Sequence, residues 1–407
     1  MEEKTCEIND RIIGFAIAFQ IAAVACKNML TSTLIIVNKF NTQLNIIISI
    51  ISILLYLRCL SKLNFRLYIK SLYIILLTFI FITSTYLFNK ELFTYEWVIS
   101  DLLVYIAYCI PLLIFVPLIN NPTTFLSYLY YASYIMSIVS IITFGLVLLG
   151  FETAKNYSMS YGAAVMIPSI FLFSKAFKEK SIRDYTLASV CTFAILAIGS
   201  RWPLLCIGAF LIYSVLSKTF SNKEHAILML MIILFLLFLV NKYYIDILER
   251  VIIFLDQYGI SSRSIRLILS GKATYDSGRS LIYKQLLLKL QDSPLLGYGA
   301  FGGIVALDGE TPHHFILDIW ANFGYIFGSI ILVISIYKTI KYFWIGKGTA
   351  YAELIAIYAC MIWPKVLVGG RFWSAEEYWM LIALFLLGSS LYKRQAVLEM
   401  GESGYEG

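Results

Sequence analysis

Charge is scarce in this chain. Asp, Glu, Lys and Arg make up 14% of its 407 residues against 60% hydrophobic, a balance that excludes the two or three soluble domains such a length would otherwise suggest. Histidine is rarer still: His225, His313 and His314 are the whole complement. CxxC and Cys/His spacings are absent, so no pattern for zinc exists. The seven cysteines (Cys6, Cys26, Cys59, Cys109, Cys191, Cys206 and Cys360) all lie outside residues 244–313, which argues against a disulfide framework in the one long loop. A net charge of +7 comes without a stripe of basic and aromatic residues, so nucleic acid is not an expected partner. No basic leader with a small-residue cleavage site precedes the first apolar run, and no cleavable signal peptide is expected. No period of about 20 to 50 residues recurs, which gives no support to a solenoid or an inverted-repeat transporter.

What is present is apolar length. Mean hydropathy is +0.79, and runs of about 15 to 25 apolar residues match the roughly 30 Å of a bilayer core. They fall at 11–30, 43–57, 69–88, 98–119, 126–149, 159–176, 184–199, 203–217, 226–243, 314–337, 349–367 and 378–392. The expected fold is therefore an all-α, polytopic integral membrane protein with about twelve transmembrane helices. Lys and Arg collect at every second loop, as in Arg58 to Lys70, Lys175 to Arg183, Lys218 and Lys223, Lys338 to Lys347, and Lys393 with Arg394. Positive loops resist translocation, so both termini are expected on the cytoplasmic side. Three regions follow: helices 1–9 over 1–243, a large extracytoplasmic loop over 244–313, and helices 10–12 with a cytoplasmic tail over 314–407.

The large loop holds Arg250, Arg263, Arg266, Lys272, Arg279, Lys284 and Lys289. Loops of this length are usually functional or disordered, and its Ile, Leu and Tyr content disfavours disorder. Tyr283, Leu286, Leu287 and Leu290 recur at helical spacing with Lys284, Gln285, Lys289 and Gln291 off the stripe, which predicts an amphipathic helix. Ser277 is its expected N-cap, placing Arg279 in a first turn whose free N–H groups favour an anion. The helix should stop before Pro294, where Leu295 to Gly303 reads as a flexible glycine-rich turn.

Few side chains are left to carry chemistry. His313 and His314 lie where the loop enters the span at 314–337, either as an inert interfacial pair or as a general base. Neighbours on a helix point about 100° apart, a poor metal pair without carboxylates, and neither metal nor cofactor is expected. Asp318, four residues on, is placed to orient His314 if one helix runs through both. Gly199-Ser200-Arg201-Trp202-Pro203 is a tight reversal between spans, and its arginine either snorkels to headgroups or holds an anion. With Arg279 it offers two guanidinium forks suited to a pyrophosphate leaving group. Arg371, in the last external loop, joins them or anchors the interface, while Lys27 and Lys365 read as snorkelling.

Three patterns, Gly-Ser-Arg at 199–201, Ser-Gly-Arg leading to Pro-Leu-Leu-Gly-Tyr-Gly at 277–299, and His-His-Phe-Ile-Leu at 313–317 running into Gly324 and Gly328, resemble one family. It is the O-antigen polymerase (Wzy-type) and O-antigen ligase superfamily of bacterial inner-membrane glycosyltransferases. The sequence departs from the common form in carrying His314 where the family usually has Asn, and Asn322 where an acidic residue is frequent. The resemblance implies a periplasmic active site that uses undecaprenyl-pyrophosphate-linked oligosaccharide as donor, without nucleotide sugar or metal. Its further implied partners are membrane lipid and a chain-length regulator. By the same resemblance, His313 would take the acceptor proton and Arg201 and Arg279 the leaving-group charge, with Arg371, Arg263, Arg266 and His314 on the substrate, and direct displacement would invert the anomeric carbon. The acceptor is a lipid-linked repeat unit in a polymerase and lipid A core in a ligase. The Ile-, Tyr- and Phe-rich divergence of the chain favours the polymerase, with the ligase as alternative. A lipid-linked oligosaccharide flippase is the rival from another class, disfavoured because few ionisable residues sit in mid-span. A structural scaffold ranks below both.

Overall fold

The computed structural model describes residues 2–60, 69–150, 158–219, 245–271 and 278–403. Among them regular structure is helical, apart from one isolated bridge between Ser158 and Gly199. Among the described residues eight helices are long and apolar enough to cross a bilayer: Asn9–Thr33, Asn41–Leu60, Ser71–Phe88, Glu96–Leu118, Pro122–Leu148, Met159–Glu179, Phe315–Ile345 and Ala350–Val368. The protein is thus an all-α, multi-pass membrane protein. Of the other four expected spans, 226–243 lies outside the described residues, and 378–392 falls within the helix Glu376–Ser403. The stretches at 184–199 and 203–217 form the helices Ile182–Ile198 and Arg201–Thr219. Large apolar side chains line the outside of the helices, as with Leu76, Leu77, Ile80 and Leu87, because lipid leaves no driving force to hide them.

The span Glu96–Leu118 is irregular: α-helical to Val104, a π-helical turn over Tyr105–Cys109, and a 3-10 turn over Val116–Leu118. Pro111 lacks an N–H and Pro117 repeats the defect, so the ladder shifts register around them. Such local adjustment is how membrane helices tolerate proline.

The chain packs as two compact units, residues 1–17, 51–128 and 276–407 in the first, and 18–50 with 129–275 in the second. In the second, Met159–Glu179 and Ile182–Ile198 make a helical hairpin whose turn is set by Lys180 in the left-handed region (φ 55°) and by Ser181. The Ser181 side chain caps the next helix, accepting from Asp184 N at 3.3 Å. Asp184 is buried and accepts a 2.6 Å bond from the Tyr134 hydroxyl, to which Lys175 and Arg183 donate in turn. Basic residues read from the sequence as marking a cytoplasmic loop here converge on one tyrosine hydroxyl beside a buried carboxylate.

In the first unit the expected amphipathic helix is Arg279–Lys289. Leu286 and Leu290 are fully buried against Ala306, Leu317 and Ala321, with Tyr283 packed beside them, each leucine contributing on the order of 2 kcal/mol. Leu287, counted in the stripe, is exposed. The glycine-rich turn after Pro294 is bound down by backbone: Tyr298 N donates to Ala321 O at 2.7 Å and Tyr325 N to Pro294 O at 2.8 Å. Its partner is the helix Phe315–Ile345, broken at Gly324 (φ 75°, ψ 172°). A Cβ at Gly324 would strike Leu295 O, and one at Gly297 (φ 67°) would strike Ala321 O. Turn and break therefore interlock through glycine, which corrects the expectation of a flexible turn.

Candidate active site

The site is built where the helix Arg279–Lys289 meets the last residues of the large loop. Gly278 (φ 84°) holds the N-cap position of Arg279–Lys289 and makes no side-chain cap; Ser277, the expected cap, lies outside the described residues. Arg279 opens the helix, and its Nη1 donates to Val368 O at 3.0 Å, at the end of the helix Ala350–Val368. A guanidinium at that end meets unpaired carbonyls and the negative pole of the helix. One turn on, Tyr283 lies on the same face. Its hydroxyl donates to His313 O at 3.3 Å and its ring meets the His314 ring edge-on, centroids 5.0 Å apart.

His313 sits in the left-handed region (φ 48°), which His tolerates better than most residues. Its Nε2 lies 2.7 Å from the hydroxyl of buried Thr311. A neutral ring donating Nε2–H to that hydroxyl leaves its lone pair on Nδ1. Partial desolvation, then the Arg279 and Arg371 guanidiniums, hold His313 below the ordinary imidazole value of 6.5, with Glu310 acting in the opposite sense. The ring is accordingly neutral at pH 7, the form a general base needs.

His314 has a different task. It is the N-cap of Phe315–Ile345, its Nδ1 accepting from Leu317 N at 3.4 Å. Asn, the residue the resembled family usually carries here, is among the best N-caps. Burial lowers the His314 pKa, so its ring too is neutral. Asp318 does not orient His314: it is buried, and its Oδ2 accepts from Phe372 N at 2.7 Å. Once the helix forms, the side chains of 314 and 318 diverge, since residue 314 is still extended (φ −150°). Asn322 is wholly buried and accepts from Trp373 Nε1 at 2.8 Å and Gly302 N at 3.2 Å. Asp318 and Asn322 thus pin the loop between Ala350–Val368 and Glu376–Ser403, which carries Arg371, to the broken helix.

Arg371 is not a plain interface anchor. Its Nη2 lies 2.8 Å from Asp101 Oδ1, off the line of a hydrogen bond, and its guanidinium stacks 4.7 Å from the Trp97 ring centroid. Asp101 is 1% exposed, so the pair is a buried one whose rupture leaves an uncompensated charge. Lys365 does not snorkel either, being bound to Glu377 at 2.8 and 3.0 Å. Lys27 donates to Asn45 at 2.9 Å.

The first unit thus gathers Arg279, His313, His314 and Arg371. Arg201, Arg263 and Arg266 belong to the second unit. There Gly199-Ser200-Arg201 is held from two sides: Ser158 N donates to Ile198 O at 2.8 Å, and the Ser262 and Ser264 hydroxyls donate to Leu196 O and Gly199 O at 2.8 and 3.1 Å. Ser262 also caps Arg263–Leu269, so the segment bearing Arg263 and Arg266 is tied to the reversal bearing Arg201. Arg201 begins a 19-residue helix, and the buried Ser200 hydroxyl beside it has no hydrogen-bond partner among the described residues. Arg266 is paired with Asp256 at 2.7 Å.

Sequence reasoning missed Thr311, Tyr283, Asp101 and Trp97. The signal for Asp101 was present, because an ionisable residue inside an apolar run marks a functional or paired site. Thr311 and Tyr283 carried no such signal. Among the described residues no three His, Cys, Asp or Glu side chains gather with metal-ligand geometry.

Residues 186–333 match the Wzy_C family, described as O-Antigen ligase. An O-antigen ligase family domain is therefore present, as the resemblance in the sequence led us to expect, and it contains Arg201, Arg263, Arg266, Arg279, His313 and His314. Its description supports the ligase alternative better than the polymerase reading. No curated protein matches the chain.

Proposed function

We propose, for a membrane protein that carries an O-antigen ligase family domain, that it transfers an oligosaccharide from a lipid-linked pyrophosphate to an acceptor hydroxyl at the extracytoplasmic face, with ligase-type transfer to lipid A core. The observation that carries this is His313: a neutral imidazole with Nε2 tied to Thr311, flanked by two guanidiniums. His313 takes the acceptor proton on Nδ1. The acceptor oxygen then forms a bond to the anomeric carbon as the bond from that carbon to the pyrophosphate oxygen breaks, inverting the centre. Arg279 and Arg371 take up charge on the departing pyrophosphate. In the second unit, taken by itself, Arg201 beside the Ser200 hydroxyl at a helix N-terminus has the chemistry to hold a phosphate. Arg263, on the segment tied to that reversal, is a further cation suited to lipid phosphate, while Arg266 is spent on Asp256. No divalent metal is required in this scheme, because guanidiniums do the work of charge neutralisation.

The ligase reading takes precedence over the polymerase reading because the family description names it, whereas the Ile- and Tyr-rich composition speaks only to the membrane. The experiment supplies one lipid-linked donor with lipid A core or with a second lipid-linked repeat unit, in excess chelator. Glycan appearing on lipid A core supports the proposal. Chain lengthening on the lipid carrier alone would establish the polymerase instead, and movement of donor between leaflets without a new linkage would establish a flippase.

A further inference from the structure

On the flank of Arg279–Lys289 lies an open cleft of about 490 Å³ that the mechanism above does not use. Its floor is aliphatic, from Ile282 and Leu307, and its rim is polar: Gln285, Lys289 and Asp292 from the helix side, Asp308 and Glu310 from the facing turn. No hydrogen bond or ion pair engages these five side chains among the described residues. The facing turn is held in shape by Asp308 (φ 52°) and Gly309 (φ 100°) in the left-handed region. The cleft therefore presents a formed concavity with unspent donors and acceptors over an apolar floor, the usual character of a small-ligand site in both size and lining.

Its position is as informative as its shape. The helix that forms one wall starts at Arg279, and the turn that forms the other runs directly into Thr311 and His313. Glu310 is close enough to bear electrostatically on the His313 ring. A chain of sugars whose pyrophosphate lies at Arg279 and whose anomeric carbon faces His313 would leave the reacting centre along this helix. Carboxylates accept from neighbouring hydroxyls, and an amide and an ammonium supply the donors that sugar oxygens need. Three carboxylates against one ammonium make the rim acidic, which disfavours sugars bearing carboxylate or phosphate.

We propose that this cleft is the subsite for the donor oligosaccharide, taking uncharged or amino sugars next to the pyrophosphate. The assignment rests on the transferase reading for its orientation, but binding in the cleft can be observed without turnover. The test uses the full-length protein in lipid nanodiscs and the oligosaccharide released by mild acid from the producing cell's lipid-linked repeat unit. Amide hydrogen exchange should slow over 282–292 and 306–310 on its addition. Gln285→Ala combined with Asp308→Asn should abolish that protection. Asn suits the left-handed backbone at 308, so the fold is preserved. In transfer assays the same pair should raise the donor KM about tenfold or more with little change in kcat. Protection elsewhere, no protection, or protection unchanged in the double variant would overturn the subsite while leaving the His313 chemistry standing. Protection in the cleft together with no transfer to any acceptor would leave a glycan site and remove the transferase reading.

Discussion

At the scale of single residues, His313 and His314 are adjacent in sequence and separated in task by one backbone difference. His313 is left-handed and faces Thr311, while His314 is extended and caps a helix. His313→Asn keeps a residue suited to that backbone, and transfer should fall by about 10² to 10⁴, the usual contribution of a general base. His314→Asn preserves the cap and should retain near-normal turnover. Loss of activity in the second variant with normal turnover in the first would exchange the two roles. The pH profile follows from the lowered His313 pKa. The base works when neutral, so transfer should rise through a midpoint below 6.5 and level off above it. The same depression stabilises the fold above the unfolded value of about 6.5, and that contribution is lost as pH falls through the folded one. Arg279→Lys keeps the charge but cannot reproduce a planar fork that spends one N–H on Val368 O. Activity should drop well below that of the unaltered protein while membrane insertion persists. Full activity would remove Arg279 from the mechanism.

At the scale of elements, what places these residues is the interlock of a glycine-rich turn with a broken helix. Gly324 admits Leu295 O where any Cβ would collide, and its φ of 75° is costly for other residues. Gly324→Ala should therefore destabilise the protein by about 2 to 4 kcal/mol and lower transfer, because His313 and His314 hang from the same helix. Gly145→Ala, in a membrane helix where a Cβ meets nothing within 4 Å, is the matched control and should leave both thermal stability and activity intact. Equal melting temperatures for the two variants in detergent would show the interlock to be dispensable. The loop helix Arg279–Lys289 shows how far periodicity could be read. Leu286 and Leu290 are buried as their spacing predicts, yet Leu287 faces outward, because the partner surface is narrower than the apolar stripe.

At the scale of the molecule, we propose from the alternation of basic loops that residues 244–313 lie outside and 175–183 inside. In a cysteine-free background, Lys284→Cys should react with an impermeant maleimide in intact cells, whereas Lys178→Cys should react only after permeabilisation. The reverse pattern would place the candidate site in the cytoplasm, where lipid-linked donor of the proposed orientation is absent. Both sites are exposed in the structure, so failure to label reports the membrane and not burial.

Sequence alone determined that the chain lives in a bilayer and roughly where its apolar helices lie, although Phe315–Ile345 runs well past the expected 337 and Glu376–Ser403 past 392, and it showed a family match over a stretch that contains Arg201, Arg279 and His313. Those properties are local: apolar length, helical period, glycine and proline punctuation, and short patterns all act within a turn or two. Only the tertiary structure decided that Arg371 binds Asp101, 270 positions away, and that Asp318 holds Phe372 N instead of His314. It alone bound the turn at 294–299 to the helix break. A buried polar group must find a partner somewhere, because leaving it unpaired in a low-dielectric interior costs more than the partner's ordering. Which partner it finds depends on how the spans pack, and packing between segments so far apart leaves no period or spacing in the chain to read.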